Sequence, residues 1–202
     1  MENQTRWSRL NDHLLEGALG VALLLVGLFD LLLPLLGVAG LLPMETTRLV
    51  HIDTPAPPPG IMDADGMTLR AASTAELALT DPGLPERLLL ALPGLTGTVL
   101  LVVVLGLLLR MARSLRSGDV FIPGNVWRLH TIALAVLLIG LAVPLVEAVS
   151  TDLLVGATPL HSMVPFHYEF STGHVFLALL VSAAAEAFRH GSRLRADTEG
   201  LV

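Results

Sequence analysis

Asp30 lies deep in a predominantly apolar run, Leu14 to Leu36, where a carboxylate is costly unless it faces water, a partner or a cavity. Such a residue carries a functional hypothesis by default. Pro34 follows one turn later, and Glu147 stands beside Pro144 in another apolar run, so the two acids could line a proton or cation path. The competing readings are a structural pair between Asp30 and Arg87 or a neutral, hydrogen-bonded carboxyl, favoured by burial and by a like-charged neighbour. With so few intramembrane charges, the structural readings take precedence over transport.

A second group of reactive types precedes the last apolar run: His161, His167, Glu169 and His174, with His51 in another loop. Imidazole and carboxylate are ligands for zinc or copper. Their spacing is not the His-Glu-x-x-His pattern that places ligands on one helical face, so solvated or interfacial histidines are expected and a metal site is the lesser alternative. The chain has no cysteine, which removes disulfides, thiolate metal sites and thiol catalysis. A Gly-x-Ser-x-Gly elbow, a phosphate-cradling Gly-Lys-Ser/Thr loop and a dinucleotide fingerprint are all missing. Neither an enzymatic activity nor a cofactor is expected.

The elements that must position these groups are apolar. With 53% hydrophobic residues, 15% charged residues and a mean hydropathy of +0.71, the chain has the composition of a protein solvated by lipid. Four runs, at about 14–36, 88–109, 129–149 and 171–188, are each long enough to cross a hydrocarbon core of roughly 30 Å at about 1.5 Å per residue. The first is too long for the apolar core of a signal peptide, so it is expected to remain as a helix. Pro93 and Pro144 interrupt the second and third runs, where neighbouring helices are expected to satisfy the freed carbonyls. Small residues recur at helical spacing at Gly20 and Gly27, at Ala133 and Gly140, and at Ala178, Ser182 and Ala185, which suits close helix packing.

Nine of the twelve basic residues precede the first run, separate the second from the third or follow the fourth: Arg6, Arg9, Arg110, Arg113, Arg116, Arg128, Arg189, Arg193 and Arg195. By the positive-inside rule both termini are expected to be cytoplasmic, and the use of Arg for every basic residue reads as the habit of a GC-rich bacterium, which points to a bacterial cytoplasmic membrane. The net charge of -6 averages over two faces of opposite sign, and no basic patch interleaved with aromatics suggests direct nucleic-acid binding. Residues 43–86 carry Glu45, Asp53, Asp63, Asp65, Glu76, Asp81 and Glu86 against only Arg48 and Arg70 and are placed outside. Alternation in Thr47 to Ile52 and Met67 to Leu79, around the Pro55 to Gly60 turn region, reads as a small β-subdomain. The expected fold is an all-α integral membrane protein with four transmembrane helices arranged as two hairpins, with a small extracytoplasmic β-containing loop between helices one and two, a cytoplasmic loop at 110–128 and a cytoplasmic tail at 189–202.

Two inner segments share the pattern apolar-Arg-x-Gly-x-x-apolar: Leu115, Arg116, Gly118 and Phe121 after the second run, and Phe188, Arg189, Gly191 and Leu194 after the fourth. Each copy reads as a helix end, with Arg on the negative end of the dipole, Gly as a left-handed cap and the apolar residue folding back. Two such elements side by side form a candidate docking surface. The same residues carry a resemblance: the stretch Arg116 to Leu129 (RSGDVFIPGNVWRL) and the ending Ala187 to Val202 resemble the bacterial domain-of-unknown-function 2975 family. Only these two segments are distinctive, although the similarity in hydropathy runs through nearly the whole chain. The resemblance implies four membrane helices, no established activity, and a partnership with a small cytoplasmic Cro/Xre-type helix-turn-helix regulator, often encoded nearby. A regulatory or sensing membrane protein is therefore the first expectation. The others are a small transporter or channel using Asp30 and Glu147, calling for a homo-oligomer because four helices enclose a narrow route, and an outer-face metal-binding protein.

Overall fold

The computed structural model describes residues 2–52, 63–64, 67–68, 74–116 and 123–199. Most of the chain is helical. Helix α1 (Glu2–Leu25) passes through a π-helical stretch (Val26–Leu32) into α2 (Leu33–Val38); α3 (Leu84–Arg116), α4 (Pro123–Val155) and α5 (Thr172–Glu199) follow. Between α2 and α3 lie strands β1 (Thr47–His51), β2 (Asp63–Ala64), β3 (Met67–Thr68) and β4 (Thr74–Ala78), and a short 3-10 turn (Pro159–Ser162) follows α4. Three segments are long and apolar enough to cross a membrane: Leu14–Val38, Leu84–Ser114 and Gly124–Val155. The fourth apolar run lies in α5, which does not stand with those three; His174, Ser182 and Glu186 punctuate it. By internal contacts the chain divides into two units: Met1–Leu33, Gly94–Val143 and Phe170–Val202 form the first, and Pro34–Pro93 with Pro144–Glu169 form the second.

The π-helical stretch has a covalent cause. Pro34 has no N–H to offer the carbonyl of Asp30, one turn back, and its ring crowds that carbonyl. The backbone widens there instead, and the N–H of Leu33 bonds to the carbonyl of Leu28, five residues earlier.

Within the first unit the core is Val104, Leu107, Ile132, Ala135, Val136 and Ala178, contributed by α3, α4 and α5. Ala133 and Ala178 are buried and Ala185 is 0% exposed, so the small residues of α4 and α5 do lie at close packing positions. Gly140 is tightest: a Cβ there would stand 2.5 Å from the Cβ of His174 and 3.2 Å from the Ser171 carbonyl oxygen. Pro144 explains why the chain approaches here. It removes the N–H that would bond the Gly140 carbonyl, and the backbone N–H of Ser171 donates to that oxygen instead, at 3.0 Å. Gly20 and Gly27 differ, with open space where their Cβ atoms would be.

In the second unit β1 and β4 pair antiparallel with Thr47 opposite Ala78, Leu49 opposite Glu76 and His51 opposite Thr74. Strand alternation turns Thr47 and Leu49 out and puts Arg48 and Val50 on the other face. Val50 then packs with Val155 and Val164 in a small apolar cluster. Arg48 reaches further. One terminal nitrogen donates to Ser150 Oγ at 2.8 Å and Thr151 Oγ1 at 3.0 Å, and the other to the carbonyls of Leu89 and Leu90 at 2.9 and 2.8 Å. Leu89 is four residues before Pro93, so its carbonyl is the one that proline deprives of a donor. The expectation that neighbouring helices satisfy the freed carbonyls is thus corrected: a strand arginine serves the first, and a backbone N–H preceding α5 serves the second.

The second copy of the apolar-Arg-x-Gly-x-x-apolar pattern also needs correction. Gly191 is not a cap; α5 continues through it to Glu199, because the following Ser-Arg-Leu-Arg-Ala sequence favours helix and offsets the glycine cost of about 1 kcal/mol. The first copy places Arg116 at the end of α3, while Gly118 and Phe121 lie outside the described residues, as does the side chain of Leu194.

Candidate functional site

Two polar constellations stand out, one in each unit. In the first unit Asn125, 0% exposed near the start of α4, ties the end of α3 to the start of α4. Its amide nitrogen donates to Ser114 Oγ at 3.0 Å, and Arg128 donates to its Oδ1 at 2.9 Å. Ser114 Oγ in turn donates to the Met111 carbonyl at 2.8 Å. Replacing Asn125 with Leu would leave these buried donors and acceptors short of a partner, at a cost of about 2 kcal/mol. The expected result is a lower thermal unfolding midpoint in detergent, with Asn125→Asp less affected because Arg128 can still donate to its carboxylate.

The second unit holds a cavity of about 290 Å³ whose walls include His51, Glu147, Thr151, Val164, His167 and Glu169. Three segments with separate anchors meet around it. Strand β1 brings His51 and is held by Arg48; α4 brings Glu147 and Thr151; the chain after the 3-10 turn brings His167 and Glu169 behind the buried Val164. The rings of His51 and His167 stack face to face, 3.9 Å apart and within 8° of parallel. His167 Nε2 lies 3.7 Å from Glu169 Oε2. Burial pushes the Arg48 guanidinium below its ordinary pKa, and the Glu147 carboxylate opposes that shift.

Parallel stacking bears on what this pocket can hold. The in-plane lone pairs of two stacked imidazoles run side by side and do not converge on one point, as chelation of a single ion requires. Among the described residues no three His, Asp or Glu side chains are arranged so that they could hold one metal ion. Of the four candidate ligands, His167 and Glu169 are together and His51 joins them; His161 lies 3.7 Å from Asp152, and His174 Nδ1 is 2.8 Å from Ser171 Oγ against Gly140. Chemically the pocket offers two carboxylates beside two imidazoles, suited to a small cation or hydrogen-bond donor.

The remaining sequence candidates are distributed over both units. Asp30 belongs to the first unit, exposed in the π-helical stretch, and Glu147 belongs to the second. Arg87 donates through Nε to the Pro82 carbonyl at 2.9 Å. Arg189 pairs with Glu186 at 2.6 Å, as their three-residue spacing in a helix suggests, and Glu186 also lies 3.6 Å from His130. Arg48 and Asn125 were missed as structural centres. Arg48 had one available signal, one of only two cations in an acidic loop, at the second position of a strand and followed by an intrahelical proline.

Residues 63–202 match the family described as "Protein of unknown function (DUF2975)", which is well over half of the chain. The chain belongs to that family. No curated protein matches this DUF2975 member, and no solved structure does. Asn125, Arg128 and the pocket residues Glu147, Thr151, His167 and Glu169 fall within the matched DUF2975 region, whereas β1, with Arg48 and the pocket residue His51, precedes it.

Proposed function

We propose that this protein is a membrane-embedded sensing and regulatory protein of the bacterial cytoplasmic membrane, with four membrane helices, an extracytoplasmic pocket and a cytoplasmic docking face for a small helix-turn-helix regulator. The observation that carries the sensing part is the cavity bounded by His51, Glu147, His167 and Glu169, because its walls come from three separately anchored segments whose packing an occupant would change. Support for α5 as the fourth span comes from its first half, where Phe176, Leu179 and Leu180 are exposed and suited to lipid while its charges gather in the second half. The arginine distribution supports cytoplasmic termini. Arg116, Gly118 and Phe121, with Arg189, Gly191 and Leu194, form the docking elements, supported by their matched pattern and by the family resemblance.

The absence of native cysteine makes the topology directly measurable. Single cysteines at Ser117 and Ser192 are expected to resist an impermeant maleimide in intact cells and react after lysis, while one at Thr47 reacts in both. Labelling of Ser192→Cys in intact cells would remove the four-span reading. Docking is tested by capture of the regulator on the tagged protein: Arg116→Ala, Gly118→Ala and removal of residues 189–202 should each reduce it without loss of membrane insertion. Unchanged capture in all three rejects the docking assignment.

A further inference from the structure

A second cavity, of about 450 Å³, is walled in part by Gly40, Leu41, Thr46, Asp81, Pro82 and Arg87. These residues directly follow the candidate span Leu14–Val38 or flank the start of the candidate span Leu84–Ser114. In a bilayer the cavity therefore lies at headgroup depth, whichever side of the membrane the loop occupies. Arg87 is fixed through Nε on the Pro82 carbonyl, and among the described residues no acceptor engages its two terminal nitrogens. Gly40, at a φ of 76°, makes room for them: a Cβ at that position would stand 2.8 Å from Arg87 Nη1. Asp81 adopts a φ of 48°, a left-handed turn conformation that Asp and Asn tolerate better than most residues. Among the described residues no ion pair joins Arg87 to Asp81, and no side-chain hydrogen bond engages the Asp81 carboxylate. Leu41 in the cavity wall is 72% exposed, and Leu84, in the first turn of α3 one turn before Arg87, is 65% exposed.

A guanidinium and a carboxylate on one cavity wall, with exposed leucines toward the lipid, match a zwitterion that carries apolar tails. We propose that this cavity binds an aminophospholipid headgroup, with phosphodiester oxygens on the terminal nitrogens of Arg87 and the primary ammonium on Asp81. The guanidinium fork suits phosphate geometry, and an ammonium donates hydrogen bonds to a carboxylate where the glycerol of an anionic headgroup brings no positive charge. Acyl chains leave along Leu41 and Leu84.

Native mass spectrometry of the full-length protein in detergent, incubated with phosphatidylethanolamine, phosphatidylglycerol or inorganic phosphate, tests the site. The wild-type protein should retain phosphatidylethanolamine about tenfold more tightly than phosphatidylglycerol, equivalent to roughly 1.4 kcal/mol. Asp81→Asn should abolish that preference while phosphatidylglycerol binding persists, and Arg87→Gln should weaken both lipids, with Arg87→Lys recovering part of the loss. Asn is compatible with the turn, so Asp81→Asn decides the matter even if Arg87→Gln fails to fold. Equal retention of the two lipids by the wild-type protein, or an unchanged preference in Asp81→Asn, overturns the proposal. Retention of inorganic phosphate with no lipid preference overturns it in favour of a free-phosphate site.

Discussion

Arg48→Met should lower the stability of the folded protein by about 3 kcal/mol, and by roughly 1 kcal/mol less when Pro93 is also replaced by Ala. The first figure reflects a guanidinium that serves four acceptors, two on α4 and two on α3. Met retains much of the apolar stem but supplies no donor, so the Leu89 carbonyl, already without the N–H that Pro93 lacks, is left with no partner. Ala at position 93 restores an N–H in the ordinary helical position for that carbonyl, and the arginine then has less to satisfy. A double-mutant cycle on thermal or denaturant unfolding in micelles reads the coupling directly. Strictly additive effects would mean that Arg48 acts through Ser150 and Thr151 alone.

Gly140→Ala should cost about 2–3 kcal/mol, the range for forcing extra volume into a packed contact. The added methyl would meet the Cβ of His174 and the Ser171 backbone, neither of which is the free end of a flexible side chain. The start of α5 must move, and the bond from Ser171 N–H to the Gly140 carbonyl lengthens or breaks. Gly20→Ala is the matched comparison: its Cβ would enter open space, so helix propensity makes it neutral or stabilising by up to about 1 kcal/mol. Unfolding midpoints that moved equally for the two variants would show that Gly140 is not a close-packing point.

What could be read in the sequence was local. Apolar length and the alternation from Thr47 to Ile52 identified the long helices and the strand Thr47–His51, and Pro93 and Pro144 announced that carbonyls would be freed. The partners of those carbonyls were not legible, because they lie 41 residues back on a strand and 31 residues ahead in a loop, positions set by tertiary packing. The reading of Gly191 as a helix end failed for the opposite reason: a local cap signal was outweighed by helix-forming neighbours, and no proline follows to stop the helix. Among the histidines, nearness in sequence misled. His161 and His174 have partners of their own, while His51, more than a hundred residues from His167, stacks on it. The resemblance carried on Arg116 to Leu129 and on the chain ending was sound, and the family match covers both segments.

The regulatory reading makes its sharpest statement at the inner face, where a photo-reactive amino acid at Phe121 or Leu194 should sit against its partner in living cells. Irradiation followed by mass spectrometry should yield a covalent adduct with a small helix-turn-helix protein at one or both positions, lost when Gly118 is changed to Ala. Irradiated cells giving no adduct at either position, or adducts only with lipid, would contradict the docking surface and with it the proposed function.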